Sequence, residues 1–159
     1  PHAQVTKRKF ADGDMITVDL TLRYKGYVSD ATRTFGLGSI SKEAITVYEI
    51  VKESQKAGLK AVRPGKTCAS VDDACRKIIE EYNYGPHFIH STGHGIGLDV
   101  HESPNISAKS KEKLKKDMAI TVEPGIYIPK KFGVRIEDSL IVKDRAAVMH
   151  KFTKDLIVI

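Results

Sequence analysis

The sequence predicts an α+β fold in which an antiparallel sheet is covered by helices. Two segments, residues 15–36 and 118–142, alternate in a strand-like way around a turn, as the strands of a hairpin do. Between them, residues 42–62 and 70–82 show helical periodicity instead. Strands and helices that are grouped in this way are typical of α+β domains. The length of 159 residues fits a single domain, residues 1–159.

The first hairpin carries two aspartates. A plausible tight turn at residues 24–26 (YKG) divides the segment, and folding about the midpoint places Asp19 nearly opposite Asp30. Two carboxylates that face each other across a hairpin repel. A cation between them would remove this repulsion, so the pair indicates metal ligation.

The two helices have recognisable ends. Ser41 is a typical N-cap, apolar residues follow a helical stripe over residues 44–62, and Pro-Gly at 64–65 ends the helix. The second helix starts at about Ser70 and stops before Gly-Pro at 85–86.

The second hairpin also carries two acids. Residues 118–128 and 133–142 are predicted strands, joined by a loop at 129–132. The midpoint of Glu123 and Glu137 is residue 130, inside that loop, so the hairpin sets these two carboxylates close together.

Shorter elements complete the pattern. Residues 87–92 are predicted to form a short strand, followed by a glycine-rich loop in which glycines flank His94. Glycine allows a ligand to approach the backbone closely. Further short strands are expected at residues 147–151 and 156–159.

Five residues stand in contexts that packing does not explain: Asp19, Asp30, His94, Glu123 and Glu137. Buried carboxylates are costly unless they are paired or bound to metal. Their combined charge of about −4 matches two divalent cations. The set therefore predicts the site of a dinuclear metal hydrolase.

Composition and charge restrict the partners. No apolar run approaches the ~20 residues that cross a membrane, so no membrane partner is expected. The net charge is +6, and a lysine-rich run occupies residues 109–116 without any aromatic residue for base stacking. We therefore expect a solvated surface there and no nucleic-acid partner. Cys68 and Cys75 are interpreted as reduced thiols, which fits a cytoplasmic protein.

Four motifs, in this order, resemble the pita-bread (creatinase/aminopeptidase) metallopeptidases. They are residues 24–35 (YKGYVSDATRTF), 90–102 (HSTGHGIGLDVHE), 123–127 (EPGIY) and 133–138 (GVRIED). The resemblance runs from residue 2 to the C-terminus. The RIED form of the last motif favours the Xaa-Pro dipeptidase (prolidase) and aminopeptidase P branch over methionine aminopeptidases.

The resemblance implies a role for each candidate ligand. Asp19 and Asp30 would hold one metal ion, with Asp30 bridging, and His94 and Glu123 would hold the other. Glu137 would bridge both ions. Glu123 would also accept a proton from the nucleophilic water.

It further implies roles for residues around the metals. His101 would stabilise the tetrahedral intermediate, and His2 and His90 would line the substrate site. Arg135 and Tyr127 match positions that orient ligands or substrate.

The implied function is metal-dependent hydrolysis of the peptide bond that precedes proline, with a peptide or dipeptide carrying proline in second position as the substrate. Manganese suits a carboxylate-rich site, and cobalt, zinc and iron are alternatives. The alternative functions are a methionine aminopeptidase and a non-catalytic pita-bread module that binds proteins or nucleic acid. The helices that precede the first hairpin in the family, and the amino-terminal domain of the Xaa-Pro branch, have no counterpart here. We therefore expect a catalytic domain whose fold is truncated at the N-terminus. Activity of this fragment alone and a homodimer of the full-length parent are left open.

Overall fold

Two helices pack against antiparallel sheets in a computed structural model that describes residues 1, 2, 4 and 6–159. The helices are α1 (Lys42–Ala61) and α2 (Cys68–Glu81), and a 3₁₀ turn follows at Gly85–His87. The strands are β1 (Met15–Tyr24), β2 (Tyr27–Gly36), β3 (Gly93–Gly95), β4 (Glu102–Ile106), β5 (Ala119–Val122), β6 (Gly125–Ile128), β7 (Phe132–Arg135), β8 (Asp138–Val142) and β9 (Ala146–Val148).

The first hairpin forms as predicted, but its register differs. Lys25 and Gly26 both have positive φ, which closes a two-residue turn of the type that suits hairpins. Asp19 therefore pairs with Thr32 and not with Asp30. The expectation that the two aspartates face each other is wrong by two residues, and they lie diagonally on the same face of the hairpin.

Both predicted helices are confirmed. The Ser41 side chain accepts a hydrogen bond from the Ala44 amide at the start of α1. Helix α2 begins two residues earlier than predicted, at Cys68, because the Thr67 side chain caps it by accepting from the Ser70 amide. Helix α1 contacts α2 and strands β5, β6 and β7, whereas α2 contacts α1 and β4. The buried apolar residues of both helices belong to one core cluster that includes Ile120 and Leu140.

The second hairpin is divided between two sheets. Strands β5 and β8 pair in one sheet and β6 and β7 in another, although both pairs continue the same register about residue 130. The breaks occur at Glu123 and just before β8, where the Glu123 amide donates to Thr92 O (2.7 Å) and the Glu137 amide donates to Thr32 O (3.0 Å). The prediction of two continuous strands is wrong because these amides bind other segments. The expectation that this hairpin sets the two glutamates close together agrees with the shared register.

The remaining segments differ more from the sequence prediction. Residues 87–92 do not form a strand, and the predicted glycine-rich loop contributes β3 instead. The larger sheet has the strand order β4-β3-β5-β8-β9. Residues 156–159 make a single parallel bridge, between Val158 and Gly36, where a strand was expected. Neither of the two helices in the described part of the chain is long and apolar enough to cross a membrane.

Candidate metal centre

Three candidate ligands from distant parts of the chain converge on one point. Single donor atoms of Asp30, His94 and Glu137 all lie within 4.8 Å of one another. Asp30 comes from β2, His94 from β3, and Glu137 from the break before β8. Two carboxylates and an imidazole at this separation are able to share a cation.

Glu123 lies against this group. Its Oε1 is 3.3 Å from His94 Nε2 and accepts a hydrogen bond from Thr121 Oγ1 at 3.4 Å. Asp19 is placed differently, because its Oδ2 lies 2.7 Å from Arg135 Nη2 and its side chain is 39% exposed. The fold thus brings Asp30, His94, Glu123 and Glu137 together, with Asp19 at the edge of the group and paired with arginine.

The carboxylates carry an electrostatic penalty. Burial, together with the neighbouring charges of Glu123 and Asp30, raises the pKa of Glu137 to about 8. Burial also raises the pKa of Asp30, helped by the charge of Asp19 and opposed by a hydrogen bond from Thr21. Glu137 receives a 2.6 Å hydrogen bond from Thr32 Oγ1. A divalent cation would compensate the remaining repulsion, so the residues fit such an ion.

The ring of His94 is oriented for ligation. Its Nδ1 lies 2.9 Å from Gly95 O, so that nitrogen carries the proton and Nε2 faces Glu123 and Asp30. Burial opposes protonation, yet the contacts with Glu123 and the Gly95 carbonyl raise the pKa of His94. A carbonyl partner that fixes the second ring nitrogen is usual for histidines that bind metal.

The glycines around His94 serve strand packing. A Cβ at Gly93 would collide with the backbone of Thr121, and one at Gly95 would collide with the backbone of Ser103. Side chains at these positions would push β3 away from β4 and β5. The glycines therefore keep His94 close to the glutamate that follows β5.

A cleft of about 520 Å³ opens beside the carboxylates. It is lined by His2, His90, His101, Glu123 and Arg135. Tyr127, which was also predicted to orient ligands or substrate, lines a second cleft with Asp19 and Arg135. The exposed ring of His101 lies 4.2 Å from the ring of His94, measured between centroids. A group in that position is able to reach a substrate held next to His94.

His90 is held by both ring nitrogens. Nδ1 donates to Ser91 O at 2.8 Å, and Nε2 accepts from the Tyr127 hydroxyl at 2.9 Å. The oxygen of that hydroxyl accepts from Arg135 Nη1 at 2.8 Å. Burial lowers the pKa of His90. The ring is therefore neutral and forms a wall of the cleft, while Arg135 joins it through Tyr127 to Asp19.

Sequence reasoning missed the threonines that contact the carboxylates. Thr21, Thr32 and Thr121 donate to Asp30, Glu137 and Glu123, respectively. Threonine is common in strands for its shape alone, so its presence there carries no signal of a site.

Comparison with known proteins gives a consistent result. Residues 1–144 match the model of metallopeptidase family M24. An Xaa-Pro dipeptidase of Pyrococcus furiosus is 46% identical over 147 residues, which are 92% of this chain and 42% of that protein.

Solved structures agree. A dipeptidase from Pyrococcus horikoshii OT3 superposes with a TM-score of 0.98 at 44% identity, over 100% of this chain and 45% of that one. An X-Pro aminopeptidase from Thermotoga maritima MSB8 gives a TM-score of 0.96 at 37% identity, over 100% and 46% of the two chains. The chain spans less than half the length of each of these relatives. The predicted α+β pita-bread fold is confirmed.

Proposed function

The chain belongs to metallopeptidase family M24, and from this premise we propose that residues 1–159 provide the catalytic domain of an exopeptidase that cleaves the bond preceding proline. The single observation that carries the proposal is the convergence of Asp30, His94 and Glu137 within 4.8 Å. The P. furiosus relative, an Xaa-Pro dipeptidase, supports the substrate class.

Two divalent ions are the proposed cofactors. Asp19 and Asp30 would hold one ion, and His94 and Glu123 the other, with Asp30 and Glu137 shared by both. The raised pKa of Glu137, caused by burial and by neighbouring carboxylates, supports this arrangement because two cations would compensate the crowded charge. The Asp19 carboxylate would share its oxygens between an ion and Arg135, which lies 2.7 Å away.

The protein groups around the ions have separate tasks. Ions bound there would polarise the scissile carbonyl and lower the pKa of a water molecule to about 7. Glu123, which is half-buried beside His94, accepts the proton of the attacking water. His101 donates a hydrogen bond to the oxygen that gains charge in the transition state. His90, neutral and fixed by Tyr127, excludes water on one side of the cleft.

Proline in the second position fits the cleft chemistry. The nitrogen of the bond that precedes a proline belongs to the proline ring and carries no hydrogen. A site that accepts such a bond holds the leaving residue by ring packing, and the imidazoles of His2, His90 and His101 supply apolar ring faces along the cleft.

The native metal, the compartment and the assembly belong to the same proposal. Manganese suits the carboxylate-rich set, with cobalt, zinc and iron as alternatives. A peptide or dipeptide in the cytoplasm is the proposed substrate. A homodimer of the complete protein is an additional hypothesis, to be tested by light scattering.

The deciding experiment uses the complete protein with Mn²⁺, Co²⁺ or Zn²⁺. Hydrolysis of Met-Pro, Met-Ala and Met-Ala-Ser is compared, and the metal content is measured by mass spectrometry. We expect two metal ions per chain and a preference for Met-Pro over Met-Ala. Good cleavage of Met-Ala-Ser with resistance of Met-Pro under every metal would replace the proposal by a methionine aminopeptidase. Absence of stoichiometric metal would favour a non-catalytic binding module.

A further inference from the structure

The segment in front of β3 carries His90 and leads into His94, yet it lacks regular structure. Residues 88–92, all within the described part of the chain, belong to neither a helix nor a strand. Its path up to Thr92, whose amide donates to Ile106 O of β4, is therefore set by specific contacts and not by a strand ladder. Buried carbonyls in such a segment need hydrogen-bond donors from elsewhere.

Arg76 of α2 supplies those donors. Its Nη1 donates to Phe88 O and its Nη2 donates to His90 O, each at 3.0 Å. The guanidinium also lies 4.1 Å from the centroid of the Phe88 ring, which in turn meets the His90 ring edge-on at 5.2 Å. The planar fork of arginine is suited to such a set of simultaneous contacts, and a lysine ammonium is not.

Asp72, one turn earlier on α2, fixes the arginine and extends the network. Its buried carboxylate accepts from Arg76 Nε at 2.9 Å and Nη2 at 3.1 Å. The same carboxylate accepts from Thr92 Oγ1 at 2.9 Å. It also shares the Thr92 amide, at 3.2 Å, with Ile106 O of β4, which accepts that amide at 2.9 Å. Charged, two-pronged hydrogen bonds of this kind are stronger than neutral ones and define geometry.

The network ends at two candidate metal ligands. Thr92 is separated from His94 by one glycine, and its carbonyl accepts the Glu123 amide at 2.7 Å. A shift of Thr92 would therefore move the backbone of both His94 and Glu123. These two residues are the ones proposed to share an ion.

We propose that Asp72 and Arg76 are positioning residues, which hold residues 88–92 against α2 and thereby set the separation of His94 and Glu123. The proposal rests on the metal-dependent function proposed above. Neither residue lines the cleft, so each acts through the segment and not on the substrate.

The test compares Arg76→Ala and Arg76→Lys with a matched control, Ser54→Ala, in the complete protein. Ser54 of α1 is buried and donates to Cys75 O of α2, the helix that carries Arg76, at 2.8 Å. Its loss therefore weakens the packing of α2 without removing a contact of residues 88–92. Three quantities are measured: the melting temperature, the Mn²⁺ dissociation constant by calorimetry, and amide hydrogen exchange of residues 88–95 in the metal-free protein.

We expect both Arg76 variants to speed exchange in residues 88–95 and to weaken Mn²⁺ binding about 10-fold or more, as loss of groups that orient metal ligands does. Arg76→Lys keeps the charge beside Asp72, so we expect its melting temperature to stay close to wild type. A change of exchange and Mn²⁺ affinity in that variant would then reflect lost positioning and not lost stability. Ser54→Ala should lower the melting temperature and leave exchange of this segment and Mn²⁺ affinity within about twofold of wild type.

The proposal is overturned if Arg76→Lys, measured while folded, shows wild-type exchange in residues 88–95 and wild-type Mn²⁺ affinity. It is also overturned if Ser54→Ala reproduces the changes of the Arg76 variants. A wild-type protein that binds none of Mn²⁺, Co²⁺, Zn²⁺ and Fe²⁺ would refute the function proposed above. In that case the exchange data alone would still decide whether Arg76 holds the segment.

Discussion

The two acid-bearing hairpins hold their carboxylates in different ways. In the first, Asp19 and Asp30 lie within an unbroken ladder, and the outer strand is exposed, with Asp19 at 39%. In the second, Glu123 and Glu137 lie where the chain passes from one sheet to another, and Glu137 is only 2% exposed. The first pair belongs to a regular ladder, to which Asp19 adds an ion pair with Arg135 and Asp30 a hydrogen bond from Ser139. The amides of the second pair bind segments outside their own hairpin.

The difference has an energetic consequence. The amides of Glu123 and Glu137 bind Thr92 and Thr32, outside their own hairpin, and this interlocks the site with the core. Burial raises the pKa of Glu137 to about 8, whereas Asp19 stays open to solvent and pairs with Arg135. Each hairpin therefore holds one buried carboxylate with a raised pKa, Asp30 or Glu137, and the hairpins differ in what fixes their backbone. The following predictions test that contrast.

The largest effect is expected from the shared ligands, one in each hairpin. Asp30→Ala and Glu137→Ala should each lower peptidase turnover on the order of 1000-fold, because several kcal/mol of transition-state stabilisation depend on the ions. The control is Asp99→Ala, an exposed aspartate near the cleft, which should cost far less. Either variant retaining two metals and more than about a tenth of the activity would contradict the shared-ligand assignment.

His101 lies outside both hairpins. Its substitution tests a role in catalysis separately from a role in metal binding. His101→Ala should keep both metal ions and lose about 100- to 1000-fold in turnover, since it removes one donor to the developing charge. Metal content and turnover are measured on the same preparation. Loss of an ion would instead make His101 a ligand and would require His94 to be reassigned.

Substitution of the threonines that donate to Asp30 and Glu137 compares the environments of these two carboxylates directly. Thr32 is buried and donates to Glu137 at 2.6 Å, whereas Thr21 is exposed and donates to Asp30 at 3.0 Å. Thr32→Val should weaken Mn²⁺ binding about 10-fold, and Thr21→Val about threefold or less, because water replaces the exposed donor. Equal effects in calorimetry would show that burial does not distinguish the two hairpins.

The last comparison concerns pH and the stability of the metal-free protein. The pKa of Glu137 is raised by burial from 4.5 to about 8, so the folded state binds its proton more tightly than the unfolded state does. The resulting stability is present below about pH 4.5 and is lost as the pH rises towards 8. Glu137→Gln should flatten this part of the profile in thermal melts, and the exposed control Glu102→Gln should leave it unchanged. A profile that keeps its slope in Glu137→Gln would contradict the assignment.

The local order of the chain was predictable from sequence. The N-cap at Ser41 and the two hairpins were predicted from periodicity and turn chemistry, which depend on neighbouring residues. The candidate ligands were also identifiable, because acids in apolar strand contexts are costly without a partner. The same reasoning placed Asp19 and Asp30 opposite each other, because it could not tell which two residues would close the turn.

Tertiary structure decided the rest. The division of the second hairpin between two sheets depends on where the Glu123 and Glu137 amides find acceptors. Thr32 and Glu137, which share a hydrogen bond, are 105 residues apart in the sequence. Asp72 and Thr92, which also share one, are 20 residues apart. Sequence determined which chemical groups are present and the regular segments that carry them. Packing alone determined their partners, because hydrogen bonds between distant segments leave no periodic trace in the chain.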